Sequence, residues 1–214
     1  MTDLTLVIGN KNLSSWSLRP WLLMKVLEVP FREKLIRLDQ PGSREELLKH
    51  SPSGLVPYLS WGEGGIGDSL AIAETVADFY PEKGIWPEDL KARACARFAV
   101  AEMHAGFGQL RGTWPMDMIR EHKGLSCPPG VAKDLRRIAA IWDEALSRSG
   151  GPFLFGGFTA ADAFYAPVVS RIRTYGPVKA MAPYQEYMDA VWSLPAMEEW
   201  REGAREEERL GWYE

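Results

Sequence analysis

The 214-residue sequence predicts a two-part fold, an α/β unit with the element order βαβαββα followed by an all-α bundle. Three observations carry this expectation. Residues 1–80 alternate short apolar runs with stretches of helical periodicity. Residues 81–90 (PEKGIWPEDL) hold two prolines and a glycine and read as a linker. In residues 91–214 the apolar positions recur only at helical spacing, which predicts a separate helical domain.

Taken in order, Leu4 to Ile8 is the first strand, and a polar loop leads from it into a helix beginning near Ser17. With Ser17 as N-cap, Pro20 falls at the third helical position, where a missing N–H costs no intrahelical bond. Phe31 to Leu38 is the second strand. Ser43 with Glu46 fits a capping box for a helix over Arg44 to His50, which Ser51-Pro52-Ser53-Gly54 ends. Leu55 to Leu59 follows as a strand. Pro57 cannot donate to a ladder, so it belongs at an edge, a first position or a turn. Glycine-dense Trp61 to Gly67 predicts a hairpin, and Asp68-Ser69 then caps a helix over Leu70 to Tyr80.

The helical half begins with one long helix, Lys91 to Trp114, on which Met103, Phe107, Leu110 and Trp114 recur at spacing 4, 3, 4. Val131 to Ser149 is a second helix. Thr159 and Asp162 form a capping box for a third, running to about Ile172, and two shorter helices span Pro183 to Trp192 and Ala196 to Glu208.

Composition narrows the function. A net charge of −4 argues against nucleic-acid binding, which needs a basic surface. No apolar run approaches ~18 residues and no signal pattern opens the chain, so a soluble cytoplasmic protein with no membrane partner is expected. Cys95 and Cys127 form no redox or metal spacing, and His50, His104 and His122 lack ligand spacing, so no metal is expected.

The chemistry concentrates where the first strand meets the first helix. Ser14, Ser15 and Ser17 offer hydroxyls beside free N–H groups at a helix N-terminus, a site for an anion or a thiolate. For Ser17, capping is the preferred role. Asp68-Ser69 offers a second such place, where a carboxylate can receive an ammonium and neighbouring N–H groups can hold a carboxylate.

Three motifs in order and spacing resemble the cytosolic glutathione S-transferases over essentially the whole chain. Ser14-Ser15-Trp16-Ser17-Leu18-Arg19 is similar to the serine motif of the zeta, theta and tau-like classes. Ser53-Gly54-Leu55-Val56-Pro57, followed by Asp68-Ser69-Leu70-Ala71-Ile72, is similar to the family's glutathione-binding segments. Gly157 to Asp162 resembles its helical-domain capping box.

The resemblance implies a thioredoxin-like N-terminal domain, reduced glutathione as co-substrate, and a homodimer. It also implies a cis bond before Pro57, backbone pairing of Val56 with the cysteinyl unit, and capture of the γ-glutamyl group by Asp68 and Ser69. Ser14 stands five residues before Arg19, as the activating serine does in the zeta and tau-like patterns. A theta-like spacing of four favours Ser15 instead.

The reading is therefore a glutathione S-transferase that attacks small apolar electrophiles. Trp16, Met103, Phe107, Leu110, Arg111 and Trp114 are the expected second-substrate pocket, Trp16 forming the wall opposite the helix. Two alternatives stand beside it, a glutathione-dependent isomerase of the maleylacetoacetate type and a non-catalytic binding module. Zeta-class proteins usually carry cysteine where this chain has Trp16, which speaks against the isomerase. No cysteine lies between residues 10 and 20, so thiol exchange through a protein sulfur is disfavoured.

Overall fold

In the computed structural model, which describes residues 3–213, a four-stranded sheet carries helices and leads into a helical bundle. Strand β1 (Leu4–Ile8) enters helix α1 (Ser15–Val26), and β2 (Arg32–Leu35) precedes α2 (Ser43–Leu48). Then β3 (Tyr58–Trp61), β4 (Gly64–Gly67) and α3 (Ser69–Phe79) complete the first part. The sheet order is β2-β1-β3-β4, with β1 parallel to β2 and the other neighbours antiparallel. The bundle contains α4 (Leu90–Ala105), α5 (Gly108–Thr113), α6 (Pro129–Ser149), α7 (Ala160–Tyr175), α8 (Gln185–Trp192) and α9 (Pro195–Arg209). Among the described residues, no helix is long and apolar enough to cross a membrane.

The βαβαββα order followed by helices is as the sequence predicts, but several boundaries move. Ser14, not Ser17, is the N-cap of α1, so Pro20 lies inside the helix. Ser17 instead accepts from the Gly9 N–H through Oγ, tying the helix to the end of β1. The Ser43 capping box does not form, because Ser43 Oγ donates to the Arg37 carbonyl at 2.8 Å while Gly42 caps α2 in a left-handed conformation. At α7 the box forms as read, with Thr159 and Asp162 bonded reciprocally.

The long helix expected over Lys91 to Trp114 breaks. Gly106 ends α4, and Phe107 adopts a left-handed conformation (φ 57) before α5 begins. A β-carbon at Gly106 would stand 2.7 Å from the Glu102 carbonyl oxygen, so only glycine fits that exit. Burial of the Phe107 ring offsets the unfavourable backbone of a bulky residue at positive φ.

Helix α1 is buried on nearly all sides, from Leu18 to Met24, because it packs against α3, α7 and α9 as well as the sheet's first-part core. Trp21 and Trp200 meet edge to face at 5.0 Å, with the Lys11 ammonium over both rings and 2.9 Å from Glu33. One apolar core thus spans strands, α1 and the bundle. The loop between β1 and α1 is held to the bundle by hydrogen bonds: Glu207 accepts from the Lys11 and Asn12 N–H groups, and Asn12 Oδ1 accepts from the Met118 N–H.

Candidate functional site

Two cavities share Trp16, a residue 37% exposed, in their walls. The first, about 610 Å³, is lined by Ser53, Val56, Pro57, Tyr58, Asp68 and Ser69 among others. The Val56–Pro57 peptide bond is cis. Proline stands just before β3, where a missing N–H removes nothing from the ladder.

Asp68 caps α3 from a left-handed backbone (φ 74), its Oδ1 accepting from the Leu70 and Ala71 N–H groups at 2.8 and 3.1 Å. Its Oδ2 lies 3.1 Å from His104 Nε2 on α4, so the carboxylate joins the strand part to the bundle. Left-handed backbone at an aspartate is tolerated because its short polar side chain can bond locally. Beside it, the Ser69 hydroxyl is fully buried and has no hydrogen-bond partner among the described residues. A buried hydroxyl left unsatisfied costs about 1–3 kcal/mol, and on the wall of a cavity it is a group that a bound ligand can satisfy.

The second cavity, about 470 Å³, is lined by Leu13, Ser15, Trp16, Gly108, Arg111, Gly112, Pro115, Met116 and Arg171. Arg171 lies on α7, 3% exposed, and donates to the Trp114 and Pro167 carbonyls and, at 3.4 Å, to Ser15 Oγ. The guanidinium of Arg19, 1% exposed, stands 4.1 Å from the Trp16 ring centroid, and that of Arg111 stands 5.2 Å from it. Burial, then the neighbouring Arg111 and Arg171 charges, pull Arg19 down to about 9, and burial with Arg111 pulls Arg171 down to about 10. Both stay cationic at neutral pH.

The structure gathers most of the residues singled out from sequence, but not all. Trp16, Val56, Pro57, Asp68 and Ser69 share the first cavity, and Ser15, Trp16 and Arg111 share the second. Ser14 lines neither. It is half-buried at the N-cap of α1, donating to Ser17 Oγ at 2.8 Å and accepting from the Ser17 N–H. Met103, Phe107, Leu110 and Trp114, expected in the pocket, pack in the core instead. Trp114 stacks on Tyr175.

Arg171 escaped the sequence reading. Its signal was a charge inside the apolar run of α7, since 15 of the helix's 16 residues are buried. A further cavity of about 650 Å³ lies between α4 and α6 beside Phe98 and Ile141 and shares no residue with these two. It carries none of the polar groups just described, so the chemistry is assigned to the smaller pair. Among the described residues, no cluster of three or more metal-ligating side chains occurs.

Comparisons with known proteins bear on the family and the fold. A family model described as glutathione S-transferase, N-terminal domain, matches residues 13–78, and one described as the C-terminal domain matches residues 94–205. Glutathione S-transferase omega-1 of Rattus norvegicus is 24% identical over 136 residues, 63% of this chain and 54% of that protein, so the match spans about half its length. Glutathione S-transferase 1 of Dianthus caryophyllus is 28% identical over 173 residues, 79% of this chain and 77% of that protein.

Among solved structures, a glutathione transferase homolog from Burkholderia GL BGR1 with bound glutathione superposes with a TM-score of 0.71 at 21% identity, over 95% of this chain and 99% of that one. Glutathione transferase Omega 2S from Trametes versicolor, in complex with 2,4-dihydroxybenzophenone, gives 0.73 at 18% identity, over 99% and 98%.

Proposed function

The chain belongs to the glutathione S-transferase family, and from that premise we propose that it binds reduced glutathione in the first cavity and adds its thiolate to a small electrophile held in the second. The observation that carries the reading is the buried, unpartnered Ser69 hydroxyl beside left-handed Asp68. Ser69 Oγ donates to the γ-glutamyl carboxylate, and Asp68 receives the ammonium. The Val56 backbone pairs with the cysteinyl unit, so the sulfur is directed toward the N-terminus of α1.

At that terminus Ser14 turns its hydroxyl from Ser17 to the sulfur. A serine is too weak an acid–base group to deprotonate a thiol. It stabilises the thiolate by donation, together with the positive end of α1. Ser15 is the less favourable donor, being buried and already held by Arg171. In this reading residues 1–80 bind glutathione, residues 81–90 link, and residues 91–214 supply the far wall of the electrophile pocket. The protein is a cytoplasmic homodimer, a pairing that covers exposed Phe98 on α4.

The test is the ultraviolet thiolate titration of glutathione bound to the protein. The bound thiol is expected about one to two pKa units below the ~8.5 of a free thiol. Ser14→Ala is expected to return most of that shift, and Ser15→Ala little. A full shift retained in Ser14→Ala, and lost in Ser15→Ala, would move the role to Ser15.

A further inference from the structure

The second cavity has an electrostatic character that an apolar-electrophile pocket does not require. Arg19 and Arg171 are the two arginines among the buried polar residues, and among the described residues neither has a carboxylate within 4.0 Å. Arg111, on the cavity wall, also lacks one, and its Nε is buried without a hydrogen-bond partner. Arg19 Nε and Nη1 are likewise unpartnered. A buried charge is normally paired or bound, because removing it from water alone is costly.

Neutral acceptors satisfy only part of this cluster. Arg171 uses three donors, on two carbonyls and on Ser15 Oγ, and a guanidinium has five. Asp68 is the carboxylate that acts on Arg19 through space, but it is already engaged by His104 and by the cap of α3. Three cations therefore meet around Trp16 with less negative charge than they can hold. The missing partner is an anion. Glutathione brings two carboxylates, and its γ-glutamyl one is assigned to the first cavity. The glycyl carboxylate and an acid group on the second substrate are the two anions left for these arginines, and the second cavity, which shares only Trp16 with the first, favours the second substrate.

We propose that the cavity between α1, α5 and α7 is a carboxylate subsite: Arg111 and Arg171 hold an acid group on the electrophile and so select anionic over neutral substrates. This rests on the glutathione reading given above. Guanidinium forks suit carboxylates because two parallel N–H donors match two oxygens. For an unsaturated keto acid the step is a conjugate addition. The thiolate forms a carbon–sulfur bond, the carbon–carbon π pair shifts to join the α-carbon to the carbonyl carbon while the carbonyl π pair moves onto oxygen as an enolate, and a proton from water at the α-carbon completes the thioether. The acid group is unchanged throughout and serves as the handle.

The probe is β-benzoylacrylic acid beside its methyl ester, each corrected for its spontaneous reaction with glutathione. Enzymatic kcat/KM for the acid is expected to exceed that for the ester by about tenfold to a hundredfold. Arg111→Met is expected to bring the acid-to-ester ratio near one, chiefly through KM of the acid, and Arg111→Lys to restore part of it. Arg171→Lys, which keeps the buried charge, is expected to lower the ratio less than Arg111→Met does.

Calorimetric titration with glutathione accompanies each variant. An acid-to-ester ratio near one in a wild-type protein that binds glutathione overturns the carboxylate subsite alone. Absence of glutathione binding overturns the function on which it rests. Weakening of glutathione itself by about tenfold in Arg111→Met would also overturn the subsite, assigning the arginines to the tripeptide.

Discussion

Two buried helix N-termini in this molecule treat their polar groups in opposite ways. At the start of α7, Asp162 is fully buried, yet every contact is returned: Oδ1 accepts from the Leu154 N–H, and Oδ2 from the Thr159 N–H and hydroxyl. Around the start of α1, Arg19 and Arg111 keep donors with no acceptor, and across Trp16 the Ser69 hydroxyl does the same. Closed bonding defines a structural joint, since nothing remains for a ligand to supply. Around Trp16, where the open groups line or adjoin the two cavities, a ligand is what would complete them.

The largest expected effect breaks the closed end. Asp162→Ala orphans the Leu154 and Thr159 N–H groups, at about 1–3 kcal/mol each, so denaturant unfolding is expected to show a loss of roughly 2–5 kcal/mol. Glutathione affinity of the folded protein should stay near wild type. Burial pushes the Asp162 carboxyl up to about 6, from an ordinary value near 4. The native state therefore takes up this proton before the unfolded chain as pH falls. The stability it contributes is full below about pH 4 and is lost as pH rises through about 6. Asp162→Asn is expected to flatten the stability profile between those limits. An unchanged slope would contradict the assignment.

A smaller effect sharpens the contrast at the open end, whose loop is itself held by closed bonding. Glu207 on α9 is 2% exposed, and its two oxygens accept from the Lys11 and Asn12 N–H groups at 2.6 and 3.1 Å, with the Tyr213 hydroxyl also donating. Glu207→Gln turns one acceptor into a donor facing a donor. Stability is expected to fall by about 1–2 kcal/mol, with KM for glutathione rising a few-fold as the loop before Ser14 loosens. A change in stability with no change in KM would show that the loop holds its position without α9.

How much of this was legible in the sequence follows the same division. The βαβαββα order and the bundle could be read because strand and helix periodicities survive in a single chain. The α7 box and the Asp68-Ser69 pair could be read because each is local, closing over two or three residues. The break at Gly106 was hidden because Met103, Phe107, Leu110 and Trp114 keep an apolar rhythm through it, and all four stay buried after the chain turns. Arg171 reaches Ser15 across 156 positions, a meeting that packing of α7 on α1 creates and no spacing announces.

Binding of glutathione by Asp68 and Ser69 is tested by calorimetric titration of reduced glutathione into the wild-type protein, Asp68→Asn and Ser14→Ala. Asparagine tolerates the left-handed backbone and keeps the helix cap while removing the charge that receives the ammonium. Binding to the wild-type protein is expected, with weakening of about tenfold or more in Asp68→Asn and little change in Ser14→Ala. Equal affinity in the wild-type protein and Asp68→Asn, or no binding at all at millimolar ligand, would contradict it.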